Sequence, residues 1–378
     1  MNVYVDCVGC EQRQLDTQRV IDYLKANKVT LVDDPAKSDY SILVTCAVDR
    51  TSENASVAKM EGILSKMKST NELIVGGCLP SISPSRVTRY GVHTTFSPRD
   101  IDTLDKIFHN KVSMAEIPNP NNSMFDEVYS DSMHELSPRE EYDQAKFGYK
   151  IVIDHGCLLS CTFCKIKDAT GKLQSMPLDV ILTQFQNAVD QAEPTIMLMG
   201  GDTGAYGYDI GTRFHNLLEQ LLVIPGDHKV FIHDFNVNWL IRDEAGYREA
   251  FNADKLGKHL RGINFPVQSG SDRILKLMKR PHKAVDAISS LRRIKQEYSH
   301  ITVGTHLIVG FPEESKEDFE ATLRLLEEVD FDFVSCFPYS EHQTAKSATL
   351  PNKVSPETID ARLDGIAEFL GDRVKIIR

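Results

Sequence analysis

His155-Gly156-Cys157-Leu158-Leu159-Ser160-Cys161-Thr162-Phe163-Cys164 is the stretch that decides the fold of this 378-residue chain. It follows an apolar run, Lys150–Asp154, that reads as a buried strand. Thiolates are the usual ligands of iron–sulfur clusters, so three cysteines on one short loop suit three irons of a four-iron cubane. The fourth iron is then open to a small molecule. A structural zinc site is the competing reading, but zinc sites usually pair two Cys-x-x-Cys-like elements and need a fourth ligand.

Downstream of this loop the chain alternates strand and helix signals. Strands are expected at Thr195–Met199, Lys229–His233, Gly262–Pro266, Thr302–Val309 and Phe331–Phe337. Helices are expected at Leu178–Gln191, Phe214–Leu222, Asp272–Lys279, Val285–Glu297 and Lys316–Val329, with a last one at Pro356–Leu370. Six βα units over residues 145–378 fit a partial or full (β/α) barrel, with its site at the C-terminal strand ends.

Upstream, residues 1–115 alternate in the same way. Strands are expected at Val3–Val8, Val29–Val32, Tyr40–Thr45, Leu73–Gly76 and His93–Ser97, with helices at Gln14–Ala26, Glu53–Lys68 and Ile101–His109. This predicts an open parallel sheet covered by helices, so the chain is α/β throughout. Cys10, Cys46 and Cys78 each lie just past a predicted strand. The carboxyl edge is where open α/β sheets bind ligands, so topology would bring these distant thiols together. A second cubane is the sharp reading; buried free cysteines are the plain one. Between the two domains, residues 116–144 are rich in Pro, Asn, Ser, Asp and Glu and read as a linker.

Composition narrows the classes. Hydrophobic residues at 41% and charged residues at 26% describe an ordinary globular protein. No apolar run approaches a membrane span, and the N-terminus lacks the regions of a signal peptide, so a cytoplasmic, reducing location is expected. In that setting eight cysteines suggest metal or redox chemistry rather than disulfides. The net charge of −11 counts against extensive contact with a polyanion.

The loop spacing, with Phe163 before the last cysteine, resembles the radical S-adenosylmethionine (SAM) superfamily. The resemblance implies a cluster on Cys157, Cys161 and Cys164 whose open iron chelates SAM. It also implies reductive cleavage of SAM to a radical that abstracts substrate hydrogen. Gly200-Gly201-Asp202 at a strand end would let backbone approach SAM, with Asp202 accepting from its ammonium. Gln268 and Ser269 would face the ribose, and Gly310-Phe311-Pro312 resembles the adenine-side strand end. Arg280 is a candidate for the SAM carboxylate, or equally a helix-terminal charge.

Taken with Gly9-Cys10, Asp16-Thr17, Val44-Thr45-Cys46 and Gly77-Cys78, the chain resembles the radical SAM methylthiotransferases. Gly201-Asp202-Thr203-Gly204-Ala205-Tyr206-Gly207 and Met278-Lys279-Arg280 extend the match. It is similar to the branches acting on threonylcarbamoyladenosine in tRNA and on a ribosomal-protein aspartate. The resemblance implies two [4Fe–4S] clusters, the auxiliary one on Cys10, Cys46 and Cys78, and SAM as methyl donor and radical source. It further implies an external reductant such as a flavodoxin, a ferredoxin or a reductase. Departures are Arg13 and Val44 where the family has Asn, Glu313 where it has Gly, and a degenerate Glu341-His342-Gln343-Thr344-Ala345 run. The family's C-terminal TRAM module has no counterpart in residues 1–378, so a chain without it is expected. With the acidic charge, this sets the expectation of a peptide, protein side chain or small molecule as substrate, receiving methylthio or bare sulfur. A modified tRNA adenosine is the alternative, and a radical SAM reaction without an auxiliary cluster is another.

Of the remaining residues, Cys7 and Cys336 are expected to pack, and Trp239 to pack rather than bind. His155 is a candidate for tuning the cluster, and His233 and Asp234 are candidates for substrate contact at the barrel mouth. Glu140-Glu141 and Glu313-Glu314 read as solvated surface.

Overall fold

Tyr40-Ser41-Ile42-Leu43-Val44-Thr45 is the central strand of the first unit in a computed structural model of the chain. The structure describes residues 1–67, 73–108, 111–125 and 136–377. It divides into two compact units: residues 1–128 with 164–171, and residues 129–163 with 172–378.

The first unit is a parallel sheet of β1 (Asn2–Val8), β2 (Thr30–Val32), β3 (Tyr40–Thr45), β4 (Leu73–Gly77) and β5 (Thr94–Thr95), in the order β2-β1-β3-β4-β5. Ile42 and Val44 pack on one face with Val20, Tyr23 and Leu24 of the helix Glu11–Ala26. Leu43 packs on the other with Val57, Met60 and Ile63 of the helix Arg50–Leu64. Burial on both faces is why β3 reads as a continuous apolar run rather than an alternating one. Truncating Ile42 to Ala would cost about 2–5 kcal/mol. Asp49 caps the second helix by accepting from Ser52 N at 2.7 Å.

The second unit is a seven-stranded parallel sheet. β6 (Tyr149–Val152), β9 (Thr195–Met199), β10 (Lys229–Ile232), β11 (Leu260–Asn264), β12 (Thr302–Val309), β13 (Phe333–Pro338) and β14 (Val374–Ile376) follow one another in that order. Two short strands, β7 (Asp154–His155) and β8 (Gln174–Ser175), form a separate antiparallel pair. Among the described residues β6 and β14 are opposite edges, so the barrel is open. Ile151, Leu198, Ile232, Ile263 and Val303 share one core with Phe185, Leu217, Leu221, Leu291 and Leu325 from the helices. Among the described residues no helix is long and apolar enough to cross a membrane.

Several sequence expectations need correction. Residues 137–144, expected within the linker, belong instead to the helix Pro138–Ala145 and its cap, started by a capping box between Ser137 and Glu140 with Pro138 in the first turn. Its Tyr142 is buried against Phe231 and Phe333. Residues 126–135 of the expected linker lie outside the described residues, as do the expected helix ends Lys68 and His109. The strand expected over Lys150–Asp154 breaks at Ile153, where the chain passes from β6 to β7. The helix Pro356–Leu370 does not finish the fold: Gly371 turns the chain in a left-handed conformation and β14 adds a seventh strand beside β13. Glu314 is buried, paired with Arg362 at 2.5 Å and accepting from Gly310 N at 2.8 Å, so it is not surface.

Candidate active site

Strand register places the thiols of the first unit. Val8 of β1, Thr45 of β3 and Gly77 of β4 stand in one row across adjacent strands. Cys46 and Cys78 are the next residues on their strands, and Cys10 lies two past the row. The Cys10 thiol donates to Cys46, which pushes Cys10 up and holds Cys46 down. Burial raises the Cys78 thiol, opposed by the positive charge of Arg13. Two of the loops are pinned: Cys78 N donates to Thr45 O at 2.9 Å, and Ser56 Oγ donates to Cys46 O at 2.8 Å. Cys10 is solvent-accessible, while Cys46 and Cys78 are buried. Cys7, on β1, has its thiol pushed up to about 12 by burial, and Cys336 likewise; both pack.

In the second unit, the loop carrying Cys157 and Cys161 is anchored through Thr162. Its N–H donates to Met278 O at 3.1 Å and its hydroxyl to Leu277 O at 2.8 Å. Phe163 packs on Ile274, Met278 and Phe311. Arg280 reaches the same loop, with Nη1 3.8 Å from Cys161 Sγ and Nη2 donating to Pro266 O at 2.5 Å. Cys157 is half-buried and accepts from Leu159 N at 3.3 Å. Cys164 is exposed and groups with the first unit. His155 is half-buried in β7, in register with Gln174.

The Gly200-Gly201-Asp202 turn packs directly on the chain before the cluster loop. A Cβ on Gly201 would lie 1.9 Å from Gly156 O, and one on Gly200 would lie 2.3 Å from Asp154 Oδ2. Asp154, which sequence reasoning missed, organises the turn: its Oδ1 accepts from Gly201 N at 2.8 Å and Asp202 N at 3.4 Å. Its position two residues before Gly156 was the available signal. Burial, then the Asp202 charge, pushes its carboxyl up to about 8. Asp202 is raised to about 6, mainly by burial. It accepts from Trp239 Nε1 at 2.8 Å, so the buried tryptophan both packs and bonds.

Of the other expected SAM contacts, Gln268 has a left-handed backbone (φ 78°) and a buried Oε1 without a protein partner. Ser269 is fully buried, its hydroxyl 3.4 Å from Thr322 Oγ1 and accepting from Ser271 N at 3.2 Å. That places Ser269 in the packing of the loop. Gly310 is left-handed at the end of β12.

At the ends of β10 and β11, beside the middle of β12, a second missed group surrounds the expected His233 and Asp234. Tyr142 Oη lies 2.8 Å from His233 Nδ1, Asp234 Oδ2 lies 3.4 Å from His233 Nε2, and Asn264 Nδ2 lies 3.1 Å from His306 Nε2. Burial lowers His306 to about 4, so it is neutral near pH 7. These partners come from four separate elements, which no local motif announces.

Among the described residues no three His, Cys, Asp or Glu side chains are gathered as one metal ion would require. A cubane makes a different demand, since each thiolate takes its own iron. Both cysteine sets are free thiols, the right donors for iron–sulfur centres. Near the loop, Asp154 Oδ2, Gln268 Oε1 and Arg280 Nε are buried without protein partners, a set of polar atoms that suits a polar amino-acid ligand. The donors present fit the two clusters and SAM.

The parallel sheet behind a three-cysteine loop defines a radical SAM enzyme, and residues 151–326 match the Radical SAM superfamily. Residues 2–96 match the Uncharacterized protein family UPF0004. With both matches and its relatives, the chain belongs to the radical SAM methylthiotransferase family, whose cofactors are two [4Fe–4S] clusters and SAM. It is 29% identical to the "Ribosomal protein uS12 methylthiotransferase RimO" of Thermosipho melanesiensis, over 98% of this chain and 83% of that one. It is 28% identical to a "Probable threonylcarbamoyladenosine tRNA methylthiotransferase" of Methanocaldococcus jannaschii, over 93% and 78%. Among solved structures, the radical SAM methyltransferase TsrM of Kitasatospora setae superposes with a TM-score of 0.63 at 13% identity, covering 92% of this chain and 76% of that one. That likeness bears on the fold.

Proposed function

We propose that this protein converts a C–H bond to C–S–CH3 on a polypeptide side chain or a small molecule. The observation that carries sulfur insertion is the row of Cys46 and Cys78, with Cys10 beside it, at one edge of the first sheet. When bound, the clusters and SAM supply one-electron cleavage, hydrogen abstraction and the transferred sulfur. The chain's own residues do the holding. Cys157, Cys161 and Cys164 would ligate one cluster, and Cys10, Cys46 and Cys78 the other. Gly200 and Gly201 let this turn pack closely on Asp154 and Gly156 ahead of the loop, and Asp154 holds the backbone of Gly201. Arg280 and Gln268 offer a donor and an acceptor to the amino-acid and ribose ends of SAM.

The net charge of −11 supports a substrate other than a polyanion. The Tyr142, His233, Asp234, Asn264 and His306 group supports a hydrogen-bonding substrate, since one carboxylate and a neutral imidazole favour donors over phosphate. A second reading, a tRNA adenosine, is favoured by the near-equal identity to relatives named for tRNA and for ribosomal protein.

The test has two arms. Iron per chain after anaerobic reconstitution should be about eight in wild type and about four in Cys157→Ala/Cys161→Ala/Cys164→Ala. About four and none would remove the auxiliary centre. Incubation with SAM and reductant should then give methylthio product from polypeptide or small-molecule pools. Methylthio-adenosine in tRNA, with binding that weakens steeply in salt, would replace this substrate class with the second.

A further inference from the structure

Arg13 stands inside the first unit, on the first turn of the helix Glu11–Ala26 that begins at Cys10. It is only 2% exposed. A guanidinium has five N–H donors and stays charged at any ordinary pH. One, on Nη1, points to Cys78 Sγ at 3.5 Å. Nη2 pairs with Asp16 Oδ2 at 3.0 Å. The Nε is buried with no protein partner. Gly9 makes room for the side chain, since a Cβ there would lie 2.4 Å from Arg13 Cβ.

A buried cation with an unused donor is costly unless an anion completes it. Asp16 is 19% exposed and supplies one counter-charge from the outer side. On the inner side stand the thiols. A cubane on three thiolates, carrying sulfur on its open iron, is anionic and presents sulfur acceptors where the spare donors lie. Hydrogen bonds to cluster sulfurs and the local charge set a cluster's reduction potential.

We propose that Arg13 is a positioning residue of the auxiliary centre: through Cys78 it stabilises the more negative, reduced state of the cluster and the anionic sulfur bound there. This rests on the two-cluster reading above. Asp16 works against it by withdrawing part of the guanidinium's charge. The pair therefore sets the potential between two limits, and the two side chains should shift it in opposite directions.

The experiment is an EPR-monitored redox titration of the full chain in the Cys157→Ala/Cys161→Ala/Cys164→Ala background, so that only the auxiliary cluster reports. Arg13→Gln should lower the midpoint by roughly tenfold in the redox equilibrium, about 59 mV for one electron. Arg13→Lys, which keeps the charge, should recover most of that shift. Asp16→Asn should raise the midpoint by a few-fold, and its partial exposure keeps this variant foldable. The proposal is overturned if Arg13→Gln and Asp16→Asn both leave the midpoint within twofold of the parent. Should Arg13→Gln fail to fold, the sign of the Asp16→Asn shift decides: upward supports the proposal, unchanged or downward overturns it. A parent that takes up no iron in this background is a different failure, because it removes the auxiliary centre and the two-cluster reading with it.

Discussion

The two cysteine sets are built in opposite ways. Cys157, Cys161 and Cys164 lie within eight residues, so their grouping is covalent and local. Cys10, Cys46 and Cys78 are separated by more than thirty residues each, and only the parallel register of β1, β3 and β4 brings them to one edge. Yet each set receives one guanidinium: Arg280 at 3.8 Å from Cys161, and Arg13 at 3.5 Å from Cys78. Local spacing makes a site tolerant of distortion elsewhere in its sheet. A site gathered by register depends on every strand that contributes to it.

The largest test of this contrast is to remove each set in turn. Cys10→Ala/Cys46→Ala/Cys78→Ala should keep reductive SAM cleavage and lose sulfur insertion to background, while the loop triple variant should lose both. Chromatographic assay of 5′-deoxyadenosine separates the two outcomes. Loss of cleavage in the first variant would break the division of labour.

Next in size is the close approach behind the loop. Gly201→Ala puts a methyl group where Gly156 O stands, so one of the two must move by about 1 Å. Displacements of that size cost on the order of 100-fold in rate, which SAM-cleavage kinetics at saturating SAM would read. A variant with wild-type kinetics would mean that this turn is not part of the reacting geometry.

Trp239→Phe removes the one side-chain donor to Asp202 seen among the described residues while keeping the aromatic packing. The buried carboxyl then loses a partner, at a cost of about 1–3 kcal/mol in urea unfolding. The Asp202 carboxyl should also rise further above its present value of about 6.

The smallest effect is a pH slope. Asp154 is raised to about 8 in the folded protein, above its ordinary value of 3.8. Between those values the folded chain keeps a proton that the unfolded chain has released. The contribution to stability is therefore complete below about pH 4 and is lost as pH rises toward 8. Per pH unit the loss is at most about 1.4 kcal/mol for one group. Asp154→Asn should flatten that part of the slope between pH 6 and 7 relative to wild type. His306 acts in the other direction: lowered to about 4, its contribution is present above about pH 6.5 and lost as pH falls.

Sequence alone determined the elements that rest on local chemistry. The alternation of apolar strands with helices gave α/β units, and β3, β9 and β12 run over the residues their apolar patterns predict. The grouping of Cys157, Cys161 and Cys164 was legible because the three are near neighbours in the chain. The convergence of Cys10, Cys46 and Cys78 was legible too, because a parallel sheet places all its strand ends on one edge. The helix Pro138–Ala145 was missed although Ser137, Pro138 and Glu140 spell its cap, because the surrounding polar composition resembled a linker. Tertiary structure alone decided what lies beside those landmarks. Arg13 is visible in sequence only as a departure from a pattern; its burial and its bond to Cys78 come from a strand end 65 residues away. Asp154 meeting Gly201, Trp239 meeting Asp202 and His306 meeting Asn264 likewise join separate elements. A strand or a ligand loop is fixed by interactions among near neighbours. The charge and hydrogen bonds around a buried group are fixed by whichever side chains packing brings to it, and no local spacing encodes them.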